Sequence, residues 1–193
     1  MHDVSLGISA YAKVGMVNDA GTNEGIQRIT FTQTHRTGHV TVIANASAAY
    51  ARGDAFTLTN YMGFKASAAK KYAGVWIKFV KGGSTGYATV AAGVDLRSTI
   101  NEIKPVGPFT EVPETTSDGQ RVIGVRGHVN PSSGIVATDT IYARATGRPL
   151  PVSQVATIDG KVRYHATFSK WNEPLHVALP STSVPVAVVI STP

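Results

Sequence analysis

From Pro108 onward the chain is cut into short apolar runs by closely spaced turn signals. Ser117-Asp118-Gly119, Asn130-Pro131-Ser132-Ser133-Gly134, Gly147-Arg148-Pro149 and Asp159-Gly160 each stand between two such runs. Asp and Gly reach positive φ at low cost, so Asp159-Gly160 between Ile158 and Val162 marks a two-residue hairpin. Runs this short, joined this tightly, cannot form a helical bundle. They predict antiparallel strands over 109–113, 121–129, 135–145, 152–158 and 162–171.

The first third reads in the same way. Residues 4–14 alternate weakly, with Val4, Leu6, Ile8 and Ala10 as the apolar phase, and residues 18–25 form a polar turn region. Over 27–34, Ile29 and Phe31 share one face while Arg28, Thr30 and Thr32 share the other. His35-Arg36-Thr37-Gly38 reads as a hairpin turn, after which 40–46 and 48–52 continue the sheet.

The period changes in the middle. Asp54 is an N-cap candidate, Phe56, Leu58, Tyr61 and Met62 follow at near-helical spacing, and Gly63 is a plausible stop. A second short helix fits 67–72 with Ser67 as its N-cap, ending at Gly74. A strand fits 75–80, and a third helical stretch lies within 87–102, its core at 95–103 closed by Pro105. The tail, 178–193, contains three prolines and is read as extended or as a short helical turn. The sum is an α+β fold: one curved antiparallel sheet, with a helical insert at about 54–104 packed on its concave face. A chain of 193 residues fits one domain spanning 1–193.

Composition narrows the chemistry. The chain has no cysteine, which removes disulfides, Cys-ligated zinc and a thiol nucleophile. No apolar run approaches the roughly 20 residues that span a bilayer. Met1 leads straight into His2-Asp3-Val4 without a basic and then apolar leader, so a mature or trimmed form is expected. The net charge is +6, but the basic residues are scattered. They form no stripe and no nucleic-acid signature, so either a merely solvated surface or contact with an anionic membrane surface is expected, and nucleic acid is not.

Candidate catalytic patterns fail on context. Gly82-Gly83-Ser84-Thr85-Gly86 matches a nucleophile elbow, but that device belongs to a parallel α/β sheet, and nothing fixes Asp118 or His128 near Ser84. Ser67-Ala68-Ala69-Lys70 lacks the partner motifs of its class. His35 and His39 lie across a turn rather than on one helix face. Glu24, Glu102, Glu111, Glu114 and Glu173 show no spacing suited to paired acid–base work. No enzyme activity, metal or cofactor is expected.

Five segments carry a family resemblance: Ala49-Tyr50-Ala51-Arg52-Gly53-Asp54-Ala55-Phe56, Lys71-Tyr72-Ala73-Gly74-Val75-Trp76-Ile77, Gln120 through Gly127, Tyr142 through Pro151, and Phe168-Ser169-Lys170-Trp171-Asn172-Glu173-Pro174. In this order, over about residues 25 to 180, the chain resembles the LppX/LprG-type envelope lipoproteins, relatives of the LolA-like lipoprotein carriers. The resemblance implies a half-open antiparallel barrel around helices, enclosing a hydrophobic cavity that carries lipids, glycolipids or lipidated molecules. It implies an extracytoplasmic protein with a lipid or acylated ligand as partner, acting as a monomer. The family's acylated N-terminal cysteine has no counterpart here.

Phe56, Leu58, Tyr61, Met62 and Phe64 put five large apolar side chains within nine residues. Burying each is worth roughly 1.5–3 kcal/mol, so the cluster must face either the sheet or an acyl chain. The expected cavity wall adds Phe31, Trp76, Ile123, Val125, Ile141 and Phe168. Lys65, Lys70 and Lys71 are expected to meet anionic headgroups. The competing expectation is an envelope interaction or ligand-sensing module with a packed interior.

Overall fold

The computed structural model describes residues 1–9, 12–83, 86–117, 119–128 and 137–193, with Glu102 described in its backbone alone. Ser84, Asp118 and the 130–134 turn therefore lie outside the described residues.

The first five strands are β1 (His2–Ile8), β2 (Lys13–Ala20), β3 (Glu24–Gln33), β4 (Arg36–Asn45) and β5 (Ala48–Gly53). Helices α1 (Ala55–Asn60) and α2 (Ala66–Lys71), strand β6 (Ile77–Val80), and helices α3 (Tyr87–Ala92) and α4 (Leu96–Glu102) follow. The chain then forms β7 (Val106–Ser117), β8 (Gln120–His128), β9 (Ala137–Arg144), β10 (Pro151–Ile158) and β11 (Lys161–Ser169). It closes with β12 (Val184–Pro185) and α5 (Val186–Ile190).

The 12 strands of the described residues form one open sheet, ordered β12-β6-β5-β4-β3-β2-β1-β11-β10-β9-β8-β7. Every pairing is antiparallel except β12 with β6. Each hairpin pairs with its neighbour in sequence until β1 meets β11, with His2 opposite Ser169 and Gly7 opposite Tyr164. That pairing is the seam joining the two ends of the chain. At one outer edge, β7 carries Pro108 and Pro113, which cannot donate to a further strand. The other edge is the two-residue β12.

The strands form where alternation and turn chemistry agree. Asp159 and Gly160 both take positive φ (51° and 70°), and Ile158 pairs with Lys161 directly across the turn. The β3–β4 hairpin turns earlier than its sequence implies. Thr34 and His35 take φ of 48° and 63°, while Arg36, Thr37 and Gly38 already belong to β4. Residues 4–14 belong to two strands, β1 and β2, not one, and β2 runs on through the polar Asn18 and Asp19.

Asp54 caps α1, accepting from the Thr57 N–H at 2.9 Å. Gly63 and Gly74 stop α1 and α2 with φ of 75°. Ser67 is not the cap of α2: the helix begins at Ala66, with Lys65 in the cap position and no side-chain capping bond.

The helices concentrate over β4, β5 and β6. Leu58, Ala68, Ala69, Ala91, Val94 and Val189 are buried against Val40, Val42, Ala51, Ile77 and Phe79 in the main core. Small alanines on both surfaces let the backbones approach closely. A second cluster, with Ala166 and Phe168 at its centre, joins Ile103 to the seam strands.

Candidate functional site

Where the main core ends, the same face of the sheet changes character. Between the seam strands and α3–α4 lies a cleft of about 430 Å³, lined by Asp3, Ser5, Met16, Asn18 and Gln27 from one arm of the sheet. Asp139, Gln154, Ala156, Tyr164 and Phe168 line it from the other arm, with Tyr61, Thr89, Ala92, Gly93, Thr99 and Ile103 from the helical insert and its end. Residues directly opposite on paired strands share a face. One such row runs Val125, Ile141, Gln154, Ala166, Ser5, Met16, Ile29, Val40. A second runs Phe168, Asp3, Asn18, Gln27, Val42. The polar floor of the cleft and the apolar core beneath the helices are thus parts of one continuous surface.

Asp3, Ser5, Asn18, Gln27, Asp139 and Gln154 are all buried. Two pairs organise them. The Asn18 Nδ2 group donates to both carboxylate oxygens of Asp3, at 3.1 and 3.0 Å. The Gln154 Nε2 group donates to Asp139 Oδ2 at 2.8 Å and reaches the Ile103 carbonyl at 3.4 Å. Between the pairs, β11 presents the fully buried Ala166, whose small side chain leaves room above the floor.

Among the described residues, four buried side-chain polar atoms have no hydrogen-bond partner: Ser5 Oγ, Asn18 Oδ1, Asp139 Oδ1 and Gln154 Oε1. Each belongs to a residue that lines this cleft. Leaving a buried polar group unpaired costs about 1–3 kcal/mol, so four in one place are conspicuous.

Burial raises the Asp3 pKa from 3.8 to about 6, against the opposing pull of the Asn18 bond. It likewise raises Asp139, opposed by Gln154 and the Thr140 N–H, and raises the Tyr61 hydroxyl.

Of the apolar residues expected to wall a cavity, Tyr61 and Phe168 line this cleft. Phe31, Phe56 and Tyr61 form an aromatic group, with ring centroids 5.7 Å (Phe31–Phe56) and 5.5 Å (Phe31–Tyr61) apart. Leu58 is fully buried in the main core, and Met62 and Phe64 pack against it. Ile141 packs on the second cluster. Ile123 and Val125 stand 37% and 41% exposed on β8. Trp76 lies elsewhere, in a depression with Arg52, Thr41 and His39, residues that alternate away from the buried Val40 and Val42. Lys65, Lys70 and Lys71 are exposed along α2, and the Lys71 ammonium lies 5.2 Å from the centre of the Tyr72 ring.

Sequence reasoning missed the polar lining because it sought only apolar and aromatic residues for the cavity wall. On β1 the polar phase is the buried one: Asp3 and Ser5 are buried while Val4 and Ile8 are 43% and 41% exposed. One signal was available. Asp3, Ser5, Asn18, Gln27, Asp139 and Gln154 are all polar residues within strand runs, each at a two-residue step from another candidate inward position.

Among the described residues no group of three or more His, Asp or Glu could hold a metal ion, and no helix is long and apolar enough to cross a membrane. No family model matches the chain, and no curated protein matches its sequence.

Proposed function

We propose that the chain is a non-enzymatic carrier that binds a lipid, glycolipid or lipidated molecule of the cell envelope, as the LppX/LprG-type lipoproteins it resembles do. In this reading the open sheet is a half-barrel whose helix-bearing face holds the ligand. One observation carries it: an uncovered apolar strip runs directly into the cleft. Val125 pairs with Ile141, and Ile141 pairs with Gln154 at the cleft wall. Ile123 lies two residues from Val125 on the same face, and the Phe109 ring, 59% exposed, lies where a side chain at Gly127 would stand. Such a strip in water is unfavourable by about 25 cal/mol per Å² of apolar surface, and an acyl chain laid along it recovers that energy. Adjacent polar and apolar stretches suit an amphiphile better than a wholly apolar or wholly polar ligand.

The second reading is an envelope interaction or sensing module with a packed interior. Its support is the dense packing under α1, α2 and α5, where Leu58, Ala69 and Val189 have no exposed surface. The two readings diverge in native mass spectrometry of the purified protein followed by solvent extraction. A stoichiometric co-purifying amphiphile is the expected outcome. A bare mass that stays unchanged after incubation with phospholipid vesicles would favour the packed module.

A further inference from the structure

The unpartnered atoms in the cleft share one property. Asn18 Oδ1, Gln154 Oε1 and Asp139 Oδ1 can only accept hydrogen bonds, and Ser5 Oγ is able to accept. Their direction follows from the pairing: Asn18 and Gln154 turn their NH₂ groups toward the Asp3 and Asp139 carboxyl groups. Their carbonyl oxygens are then left without a partner inside the cleft. All five residues (Asp3, Ser5, Asn18, Asp139 and Gln154) are at least 95% buried, so bulk water does not serve them freely.

Charge narrows the complement further. Two carboxylates reach the cleft, and among its described lining residues there is no Lys or Arg to balance them. Three aromatic residues, Tyr61, Tyr164 and Phe168, also line it. A phosphate or carboxylate would be repelled here. A neutral hydroxyl brings lone pairs as well as a proton and finds few donors. A primary ammonium brings three donors, no acceptor and a positive charge, and aromatic faces attract it as well.

We infer that the cleft formed by Asp3, Ser5, Asn18, Asp139 and Gln154 is a binding site for the protonated amine of an amine-bearing amphiphile, whose chain lies over Ile141, Val125 and Ile123. This rests on the amphiphile-carrier reading and adds the headgroup class to it. The polar end enters the protein and the chain follows the open strip.

The test is isothermal titration calorimetry of the full chain at pH 7.5 with decylamine, decanol and decanoate, each kept below micelle formation, and with butylamine. Decylamine is expected to bind about tenfold or more tightly than either decanol or decanoate, because a charge-assisted contact is worth more than one factor of ten. Asp139→Asn, checked for an unchanged circular dichroism spectrum, should remove most of that preference. Equal binding of the three long-chain probes overturns the amine assignment and leaves the carrier reading standing. Butylamine binding as tightly as decylamine supports the amine site and overturns the carrier reading. Absence of binding by all four overturns both. The headgroup comparison needs no substitution, so it decides the matter even if the variant fails to fold.

Discussion

Asp3 sits where a carboxylate is costly. Its folded pKa is about 6, against an ordinary 3.8, because burial penalises the charged form more than Asn18 and the neighbouring His2 favour it. Between those two values the folded chain keeps a proton that the unfolded chain has released. Stability therefore falls as pH rises through this window and is level above it. The difference of about two units corresponds to about 3 kcal/mol at pH 7, an order-of-magnitude figure. Asp139, also raised by burial, acts in the same direction. Asp3→Asn is expected to raise the melting temperature at pH 7.5 and to flatten its dependence between pH 4 and 6.5, measured by circular dichroism. An unchanged slope would mean that Asp3 is not the group responsible. The same substitution should weaken decylamine, so stability and binding pull apart at this residue. The sequence made Asp3 easy to misplace, because alternation identifies two faces and hydrophobicity normally chooses between them. Here Val4, Leu6 and Ile8 lost that choice, since the inward position on β1 faces Asn18 and not the packed core.

At the scale of elements, the helical insert was legible because its signals are local. Asp54, the run from Phe56 to Met62 and Gly63 lie within ten residues, and cap, apolar face and stop all act inside that span. What the local signals could not show is how α1 is seated. The Asp54 carboxylate also accepts from the His39 N–H of β4, and a Cβ at Gly38 would stand 2.7 Å from it and closer still to the Thr57 hydroxyl. One side chain thus caps the helix and fastens it to the sheet. Burial alone would raise its pKa, but the N–H groups of His39 and Thr57 outweigh that and hold it below its ordinary value. Its contribution is therefore present above the ordinary carboxylate range and is lost as pH falls below it. Asp54→Ala is expected to cost about 1–2 kcal/mol in urea unfolding at pH 7. Gly38→Ala should cost at least as much, because its new methyl collides with the Asp54 carboxylate and the Thr57 hydroxyl that form the cap. A loss well under 0.5 kcal/mol in both variants would show that the helix is held by its apolar face alone. The α3–α4 turn is seated in a similar way: Gly25 and Gly93 leave no space for a Cβ against the Val94 carbonyl and the Gln27 amide, respectively.

For the molecule as a whole, the candidate site exists only because β1 pairs with β11. Asp3, Ser5, Asn18 and Gln27 come from the first 27 residues, and Asp139, Gln154 and Phe168 from the last third of the chain. No hairpin signal predicts a pairing over that separation, because loop length and turn chemistry fix register only between neighbouring strands. This is why individual strands could be read from sequence and the cleft could not. The seam also makes a mechanical claim. Its six register pairs and the second core cluster, with the tail that returns through β12 to β6, couple the arm carrying Trp76 to the arm carrying Trp171. Trp171 packs 6.5 Å from Phe168 and donates its indole N–H to the Pro151 carbonyl at 2.8 Å, so its fluorescence reports the second arm. Trp76 lies beside Arg52 and reports the first. In Trp76→Phe and in Trp171→Phe, the urea midpoint of the remaining tryptophan should coincide with that variant's own circular dichroism midpoint, as a single cooperative unit requires. Each comparison is made within one variant, so the stability lost with the indole does not affect it. Introducing Val4→Pro removes a backbone donor from a strand paired on both sides, and the midpoints should then separate. If they are already separate without that change, the two arms fold independently. A cleft built from both would then open and close with the seam, and ligand binding should draw the two midpoints together by stabilising only the joined state.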